Sequence, residues 1–323
     1  MMTVTQGIEG DDLLWHLRLL GCHNIPRDYY FYPLMDHYNC HDPQWFDLAQ
    51  TQARSASAVV FYDVLHTGDY EHQKYAELVS RFDHPNKIYL TVNQNPVFWL
   101  AGVKIIPWDF MWNRYRAYYL ESVSADLSLH HYSRGRYQKI SLDFNARRLR
   151  KFMSLTGRDY GPRAKLYNIV KDYDGYTTNR SLGITLENRN DLGIFSPPDN
   201  QYYRDSYFSI YVESNSVNNQ LIHITEKTYE PLTKGHFILP VANPGSISYL
   251  RSQGFVFPEF IDYSFDAVDD PIARFDMVLE QFNRLITCNI DQLYKDNRDV
   301  LEHNHQQLLA RDYDPRILEI FRV

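Results

Sequence analysis

Short apolar runs alternate with segments of helical spacing along the first half of the chain, and this order restricts the fold more than any other feature. The apolar runs that predict buried strands are 28–36, 57–64, 87–95 and 103–110. Between them, residues 42–56 and 71–82 predict helices. A strand–helix–strand order is typical of a parallel sheet covered by helices, so we predict an α/β fold. Ligands meet such sheets where strands end, which here selects Asp36, Asp63, Asn93, Gln94 and Asp109.

The second half repeats this order after a polar interval. Strands are predicted at 149–157, 205–214 and 235–243, a helix at 161–173, and a strongly helical tail over 271–313. A further helix is predicted at 112–128, within the first domain. At roughly 150 residues per domain, 323 residues fit two domains. We predict one domain over 1–145, a second over 146–275 and C-terminal helices over 276–323. A cleft between two such domains is the default ligand site.

The composition indicates a globular protein, because 44% of the residues are hydrophobic and 23% are charged. The three cysteines, Cys22, Cys40 and Cys288, do not form a disulfide framework and favour a reducing compartment. The N-terminal segment has no apolar signal region, and no run of about 18 apolar residues occurs. We therefore expect a cytoplasmic location, in the host cytoplasm if the protein is viral, and no membrane span.

The charge is distributed unevenly. The chain carries a net charge of −7, yet ten Lys or Arg residues face only two acids between Arg134 and Lys165. Such asymmetry predicts a local anion site in an otherwise acidic protein. A solvated basic helix face is the alternative explanation for part of this charge.

The stretch His223–Ser246 predicts a short helix followed by a strand. Thr225 suits the N-cap position and Gly235 the position just after the helix. Pro231 has no N–H to donate to the carbonyl of Lys227, so the helix is expected to be short or kinked.

The first turn of this helix carries an acid–base pair, Glu226 and Lys227. The open N–H groups and the partial positive charge of a helix N-terminus favour phosphate, and Lys227 adds a full charge. Glu226 fits that arrangement if it accepts hydrogen bonds from the hydroxyls of a sugar or ribose. Alternatively, Glu226 only complements the helix dipole, and the local pattern leaves the two interpretations evenly balanced.

The sequence "ITEKTYEPLTKGHFILPVANPGSISYLRSQGF", residues 224–255, resembles the donor-binding signature of fucosyltransferase-like glycosyltransferases, in particular viral and bacterial relatives with a Thr-Glu-Lys-Thr core. Residues 151–170 resemble the strand, loop and helix that open the same donor domain, and "IYVES", 210–214, resembles the strand end before the signature. The resemblance covers about residues 145–266, with a weaker match at 106–119.

This resemblance implies the GT-B architecture, in which two Rossmann-like domains face a cleft, the second binds the nucleotide sugar and the first holds the acceptor. It implies that Arg163 and Lys227 neutralise the diphosphate, that Glu226 binds hydroxyls and that Glu213 lies at the sugar or ribose side. The full predicted donor-binding set is Arg158, Arg163, Glu213, Ser214, Thr225, Glu226, Lys227, Asn243, Gly245 and Ser246.

The resemblance also implies an inverting, metal-independent transfer with no cofactor beyond the nucleotide-diphosphate sugar. The acceptor is a hydroxyl of a glycan or a small molecule. A base must take the proton of that hydroxyl. Asp36 and Asp63 are the candidate bases, and Asp36 is preferred because it follows the first predicted strand.

Two other functions stay open from the sequence. DNA is an alternative acceptor, as in phage enzymes that glycosylate hydroxymethyl-pyrimidines, because the basic stretch 134–165 and Trp99, Trp108 and Trp112 are residue types that bind DNA. The net charge argues mildly against DNA. A binding protein without catalytic activity is the other alternative.

Two further patterns are interpreted as structural. The Asp-x-Asp sequences Asp172–Asp174 and Asp312–Asp314 do not follow predicted strands and are taken as loop acids. The residues "HYNCHD", 37–42, match no regular zinc spacing.

Overall fold

A computed structural model describes residues 29–34, 42–62, 69–91, 94, 100–107, 141–157, 161–184, 200–214, 216–217 and 221–310. Over these residues the protein is α/β, with two four-stranded sheets whose neighbouring strands all pair in parallel. The predicted α/β class is confirmed.

The chain forms two compact units. The first unit is Met1–Ala117 with Gln220–His223 and Asp312–Val323, and the second is Tyr118–Asn219 with Ile224–Arg311. The main division, after Ala117, falls outside the described residues. The predicted boundary after residue 145 and the separate C-terminal segment from 276 therefore stay predictions.

The first unit contains a sheet in the order β1-β2-β3-β4. Its strands are β1 (Tyr29–Pro33), β2 (Ala58–Tyr62), β3 (Lys87–Thr91) and β4 (Val103–Pro107), and its helices are α1 (Pro43–Ala53) and α2 (Asp69–Arg81). Asp42 caps α1 by accepting the N–H of Gln44 at 2.8 Å. Every residue of β2 is buried, as a central strand covered on both faces requires.

Aromatic side chains fill the core of the first unit. The ring of Phe82 lies edge-on to Phe61 at 5.2 Å, to Phe46 at 5.4 Å and to Tyr32 at 5.7 Å between centroids. All four side chains are buried. Burial of each such ring contributes about 1.5–3 kcal/mol, so this cluster fixes α1 and the sheet together.

The second unit contains a sheet in the order β6-β5-β7-β8. Its strands are β5 (Arg150–Thr156), β6 (Gly175–Asn179), β7 (Ser206–Val212) and β8 (Phe237–Val241). Its helices are α3 (Pro162–Val170), α4 (Asn200–Arg204), α5 (Glu226–Thr233), α6 (Ser246–Ser252), α7 (Pro271–Thr287), α8 (Ile290–Asp296) and α9 (Arg298–Ala310), with short 3-10 turns at Arg180–Leu182 and Ser264–Ala267.

Three phenylalanines join α7 to this sheet. Phe152 of β5 stacks on Phe208 of β7 at 5.7 Å, and Phe282 of α7 lies edge-on to Phe152 at 5.0 Å. The apolar residues at i, i+3 and i+4 spacing in α7 therefore form the face that packs against the sheet.

The strands predicted from apolar runs are confirmed in both units, and the predicted helices at 42–56, 71–82, 161–173 and in the tail are confirmed as α1, α2, α3 and α7–α9. Strand β6 was not predicted, because its sequence "GYTTN" has no apolar run. Gly175 is required there, since a Cβ at this position would lie 2.4 Å from the ring of Phe152. The predicted helix at 112–128 lies outside the described residues.

Candidate functional site

The strand order of the second unit marks one edge of its sheet as the expected ligand position. From β5 the chain proceeds to β6 on one side, and β7 then pairs on the other side of β5. Ligands of open parallel sheets bind outside the carboxyl ends of the strands that flank such a reversal. Polar residues occupy this edge at the end of every strand: Thr156, Asn179, Glu213 and Asn243.

Helix α5 starts at this edge as the sequence predicts. Thr225 is the N-cap, and its hydroxyl accepts the N–H of Lys227 at 3.3 Å. The helix contains Pro231 and is only eight residues long. It ends with Gly235 at φ 71° and with the N–H of His236 donating to the carbonyl of Pro231 at 2.9 Å. The predicted N-cap, short helix and terminal glycine are confirmed.

Glu213, directly after β7, is a buried carboxylate with 0% exposure. Its Oε1 accepts the N–H of Thr225 at 3.1 Å and the hydroxyl of Thr228 at 2.6 Å. Its Oε2 accepts the hydroxyl of Thr225 at 2.5 Å and the N–H of Ser214 at 3.2 Å. Because a carboxylate has about four acceptor positions, these bonds occupy it fully. The geometry therefore gives Glu213 the role of fixing the start of α5, and its predicted place at the sugar or ribose side of the donor stays a prediction.

Lys227 extends its ammonium across the start of α5. The Nζ atom donates to Oε1 of Glu226 at 2.8 Å, to the hydroxyl of Ser214 at 3.1 Å and to that of Thr225 at 3.4 Å. The side chains of Lys227 and Glu226 are 23% and 19% exposed. Both the ammonium of Lys227 and the positive end of the helix dipole would attract an anion that reaches this position.

Arg163 lies in the first turn of α3, the helix that follows β5. Gly161 precedes this helix at φ 55°, a left-handed conformation that favours glycine, and Pro162 occupies the first turn. The side chain of Arg163 is buried, with 6% exposure. The two predicted diphosphate cations, Arg163 and Lys227, thus lie in the first turns of the helices that follow β5 and β7, and those strands are neighbours in the sheet.

The start of α6 is already occupied by a carboxylate of the chain itself. Asp266 accepts the N–H groups of Ile247 and Ser248, each at 2.8 Å, and its carbonyl accepts the N–H of Gly245 at 2.9 Å. The N–H of Ser246 points to the carbonyl of Asn243 at 3.3 Å. We predicted that Asn243, Gly245 and Ser246 supply backbone donors to a ligand, but the N–H groups of Gly245 and Ser246 serve the fold.

The basic stretch does not act as one patch where the structure describes it. Arg148 and Arg163 are buried. Arg150 forms an ion pair with Asp174 at 3.0 Å, and Lys165 forms one with Asp276 at 3.6 Å. The ammonium of Lys151 donates to the carbonyl of Ile286. Much of the local positive charge therefore stabilises the second unit.

The predicted ligand-edge residues Asn93 and Asp109 and the tryptophans Trp99, Trp108 and Trp112 lie outside the described residues. So do three residues of the predicted catalytic and donor-binding sets: Asp36, Asp63 and Arg158. The structure thus adds nothing to their predicted roles as candidate bases and second phosphate ligand.

Three residues of this edge were not predicted: Thr156, Asn179 and Asp266. Asp266 binds α6 from about 20 positions further along the chain, and no local pattern signals such a contact. Asn179, at the end of β6, is fully buried, and its side-chain amide has no hydrogen-bond partner within the part of the chain that the structure describes. Because β6 was not predicted from the sequence, its last residue was not recognised as a candidate.

His236, which lies within the signature segment 224–255, is a neutral imidazole. Its Nε2 is 2.7 Å from the carbonyl of Tyr203, which can only accept, so Nε2 carries the proton and Nδ1 accepts the hydroxyl of Ser209 at 2.9 Å. Burial, together with the smaller effect of the positive charge of Arg148, lowers the pKa of His236 from 6.5 to about 3.

We expect His236 to make stability depend on pH. The unfolded chain binds a proton at this residue below pH 6.5, whereas the folded chain does so only near pH 3. Its contribution is therefore complete above pH 6.5 and falls by up to about 1.4 kcal/mol per pH unit as the pH drops toward 3. When the free energy of unfolding is measured in urea at several pH values in this range, it should depend less steeply on pH in His236→Gln than in the wild type. His303→Gln, at an exposed position, should keep the pH dependence of the wild type. The same pH dependence in His236→Gln and wild type would contradict the low pKa of His236.

Within the described residues, no group of three or more His, Cys, Asp or Glu side chains is placed to hold a metal ion. None of the helices in this part of the chain is long and apolar enough to cross a membrane.

Comparisons with family models, with curated proteins and with solved structures gave no match. The resemblance to fucosyltransferase-like enzymes thus rests on the residues of the signature and on the segments that precede it.

Proposed function

We propose that the protein is a glycosyltransferase of GT-B architecture that transfers a sugar from a nucleotide-diphosphate sugar to a hydroxyl, and that its second unit binds the donor. The observation that carries this proposal is the ammonium of Lys227, held at the N-terminus of α5 beside the carboxylate of Glu226. This pair lies at the carboxyl-end edge of the sheet, and ligands of open parallel sheets commonly bind at such an edge. A cation next to a partly exposed carboxylate suits a ligand with both phosphates and hydroxyls.

This edge of the sheet is best suited to stabilise the leaving group of the reaction. When the bond between the sugar carbon and the phosphate oxygen breaks, negative charge develops on the nucleoside diphosphate. Lys227, Arg163 and the positive end of the α5 dipole would stabilise that charge without reorganising. Glu213 supports them indirectly, because it holds Thr225 and Ser214, whose hydroxyls accept from Lys227.

The acceptor side is assigned to the first unit. In an inverting transfer the acceptor oxygen bonds to the sugar carbon as the diphosphate leaves from the opposite face, and the acceptor proton passes to a base. Asp36 and Asp63 keep the candidate roles that the sequence gives them. In GT-B enzymes the acceptor-side domain is also Rossmann-like, and the parallel sheet of the first unit is compatible with that arrangement.

The experiment that tests the donor site is a binding screen with uridine, guanosine, cytidine and thymidine diphosphates. One class should raise the thermal unfolding midpoint, because a ligand of the native state stabilises it. Titration calorimetry with that nucleotide should show that Lys227→Met weakens binding about 10- to 100-fold, as expected for loss of a charge-assisted contact.

The matched control is Lys295→Met. Lys295 is also a partly exposed lysine paired with a carboxylate, Asp291 at 2.6 Å, but it lies on α8. This variant should bind the nucleotide like the wild type. If wild type and Lys227→Met bind the nucleotide with equal affinity, Lys227 does not contact it, and the proposal loses the observation on which it rests.

The other two functions make different predictions in the same assays. A binding protein would hold the nucleotide sugar without releasing nucleoside diphosphate in the presence of acceptors. A DNA glycosyltransferase would bind duplex DNA with an affinity that falls steeply as salt rises. The described basic residues give the DNA alternative little support, because several of them are buried or paired within the second unit.

A further inference from the structure

Arg274, the fourth residue of α7, is a buried cation with 1% exposure. Its guanidinium donates to the carbonyls of Val268 and Asp269, shortly before α7, and to the carbonyl of Ser216 at 3.2 Å. Ser216 lies 58 positions earlier in the chain, in the segment that follows β7. The side chain of Arg274 therefore joins α7 to the segment that leaves the carboxyl end of β7.

The surroundings of Arg274 do not suit it as an anion ligand. At 1% exposure the side chain offers no surface to a ligand, and burial lowers the pKa of Arg274 below its ordinary value. The nearby carboxylates of Asp269, Asp266 and Asp270 act in the opposite direction and favour the charged form. Because an arginine stays protonated in proteins, its N–H groups remain donors for main-chain carbonyls. These contacts indicate that Arg274 orients other groups of the chain.

The segment that Arg274 contacts has few other attachments. Ser216 is buried, whereas Val217 is 64% exposed. Within the described residues, the bond from Arg274 is the only hydrogen bond made by residues 216 and 217. Two positions before Ser216, the hydroxyl of Ser214 accepts a hydrogen bond from the ammonium of Lys227 at 3.1 Å. Because two residues of chain span at most about 7 Å, the position of Ser216 restricts that of Ser214.

Arg274 is itself held firmly against the second sheet. Asp270 caps α7, since its carboxylate accepts two N–H groups of the first turn at 2.8 Å each and its carbonyl accepts the N–H of Arg274 at 2.9 Å. Further along the helix, Phe282 packs edge-on against Phe152 of β5. The guanidinium is therefore fixed relative to the sheet, and the segment after β7 is fixed through it.

From these contacts we infer that Arg274 is a positioning residue of the donor site, which fixes the segment after β7 so that Ser214 holds the ammonium of Lys227. The inference rests on the proposed function and adds a residue to the same site. Without the bond from Arg274, the segment would be mobile and Lys227 would lose one of its hydroxyl partners. Binding of a diphosphate would then have to order the side chain of Lys227, which lowers affinity.

The test compares Arg274→Lys with Arg148→Lys by titration calorimetry, using the nucleoside diphosphate that binds best. Both variants keep the charge and replace a buried guanidinium by a single ammonium, and Arg148 also donates to main-chain carbonyls. Both should lower the midpoint of urea unfolding, because each loses buried hydrogen bonds. Only Arg274→Lys should weaken nucleotide binding, by about 5- to 10-fold, because Lys227 keeps its charge and loses its fixed position.

A double variant separates positioning from a general loss of stability. If Arg274 acts through Lys227, adding Arg274→Lys to Lys227→Met should leave the nucleotide affinity equal to that of Lys227→Met alone. Residues that act independently would instead multiply their losses. All affinities are measured at a temperature at which thermal unfolding shows that every variant is folded.

Three results would each overturn the inference: wild-type affinity in Arg274→Lys, an equal loss of affinity in Arg148→Lys, or multiplied losses in the double variant. If Arg274→Lys does not fold, Ser214→Ala tests the same link at a less buried position. It should weaken nucleotide binding in the wild type and have no effect in Lys227→Met, and any other result would contradict the inference. Failure of the proposed function is distinguishable, since it appears as unchanged nucleotide affinity in Lys227→Met itself.

Discussion

Replacement of Glu213 by alanine is expected to lower the free energy of unfolding by about 3–5 kcal/mol, because a buried hydrogen-bond network loses its centre. The carboxylate accepts four hydrogen bonds, from the N–H groups of Thr225 and Ser214 and the hydroxyls of Thr225 and Thr228. Without it, two main-chain donors are left without partners and the N-cap of α5 loses the bond that orients it. The midpoint of urea unfolding should fall at an unchanged slope.

A matched control separates this effect from the loss of any one glutamate. Glu280 is exposed on α7, and Glu280→Ala should change the free energy of unfolding by less than about 0.5 kcal/mol. If Glu213→Ala keeps its stability and loses only nucleotide affinity, the carboxylate contacts the ligand directly. That outcome would support a place for Glu213 at the sugar or ribose side of the donor, as the resemblance implies.

Replacement of Arg148 by alanine is expected to destabilise the protein by a similar amount, about 3–5 kcal/mol. The guanidinium donates to the carbonyls of Tyr203 and Ser206 and to the hydroxyl of Tyr294, and it lies 4.2 Å from the centroid of the Tyr294 ring. Burial lowers the pKa of Arg148 below its ordinary value. The side chain thus joins the segment before β5 to the start of β7 and to α8, and its loss removes one donor from each of the carbonyls of Tyr203 and Ser206.

Arg150, two residues further along, supplies the control. It pairs with Asp174 at 3.0 Å, but the two side chains are 50% and 55% exposed. Because exposed ion pairs contribute little, Arg150→Ala should cost less than about 1 kcal/mol. Equal losses for the two arginine variants in urea unfolding would show that Arg148 does not anchor the fold as its contacts indicate.

The sequence predicted the parts of the donor unit that depend on near neighbours. Apolar runs located β5, β7 and β8, because a strand buried on both faces needs a continuous apolar sequence. Thr225 was identified as an N-cap because its hydroxyl reaches an N–H only two residues away.

The polar strand β6 was not predicted from near-neighbour patterns. Its five residues lack an apolar run, and its place in the sheet depends on pairing with β5, in register from Phe152 with Gly175 to Thr156 with Asn179. Pairing partners distant in the chain are not visible in a local pattern, so Asn179 could not be recognised as an edge residue.

The assignment of each polar group to fold or ligand was likewise decided by the tertiary structure. In sequence, Glu213 and Ser246 look as suitable for a ligand as Lys227 does. Only folding brings Thr225 and Thr228 onto Glu213 and places Asp266 over the start of α6, whereas the ammonium of Lys227 stays partly exposed beside Glu226. Local sequence determined where helices and strands begin and end, because caps and periodicity act over a few residues. The three-dimensional arrangement decided which charges are used internally and which can meet a ligand, because those bonds join residues that are distant along the chain.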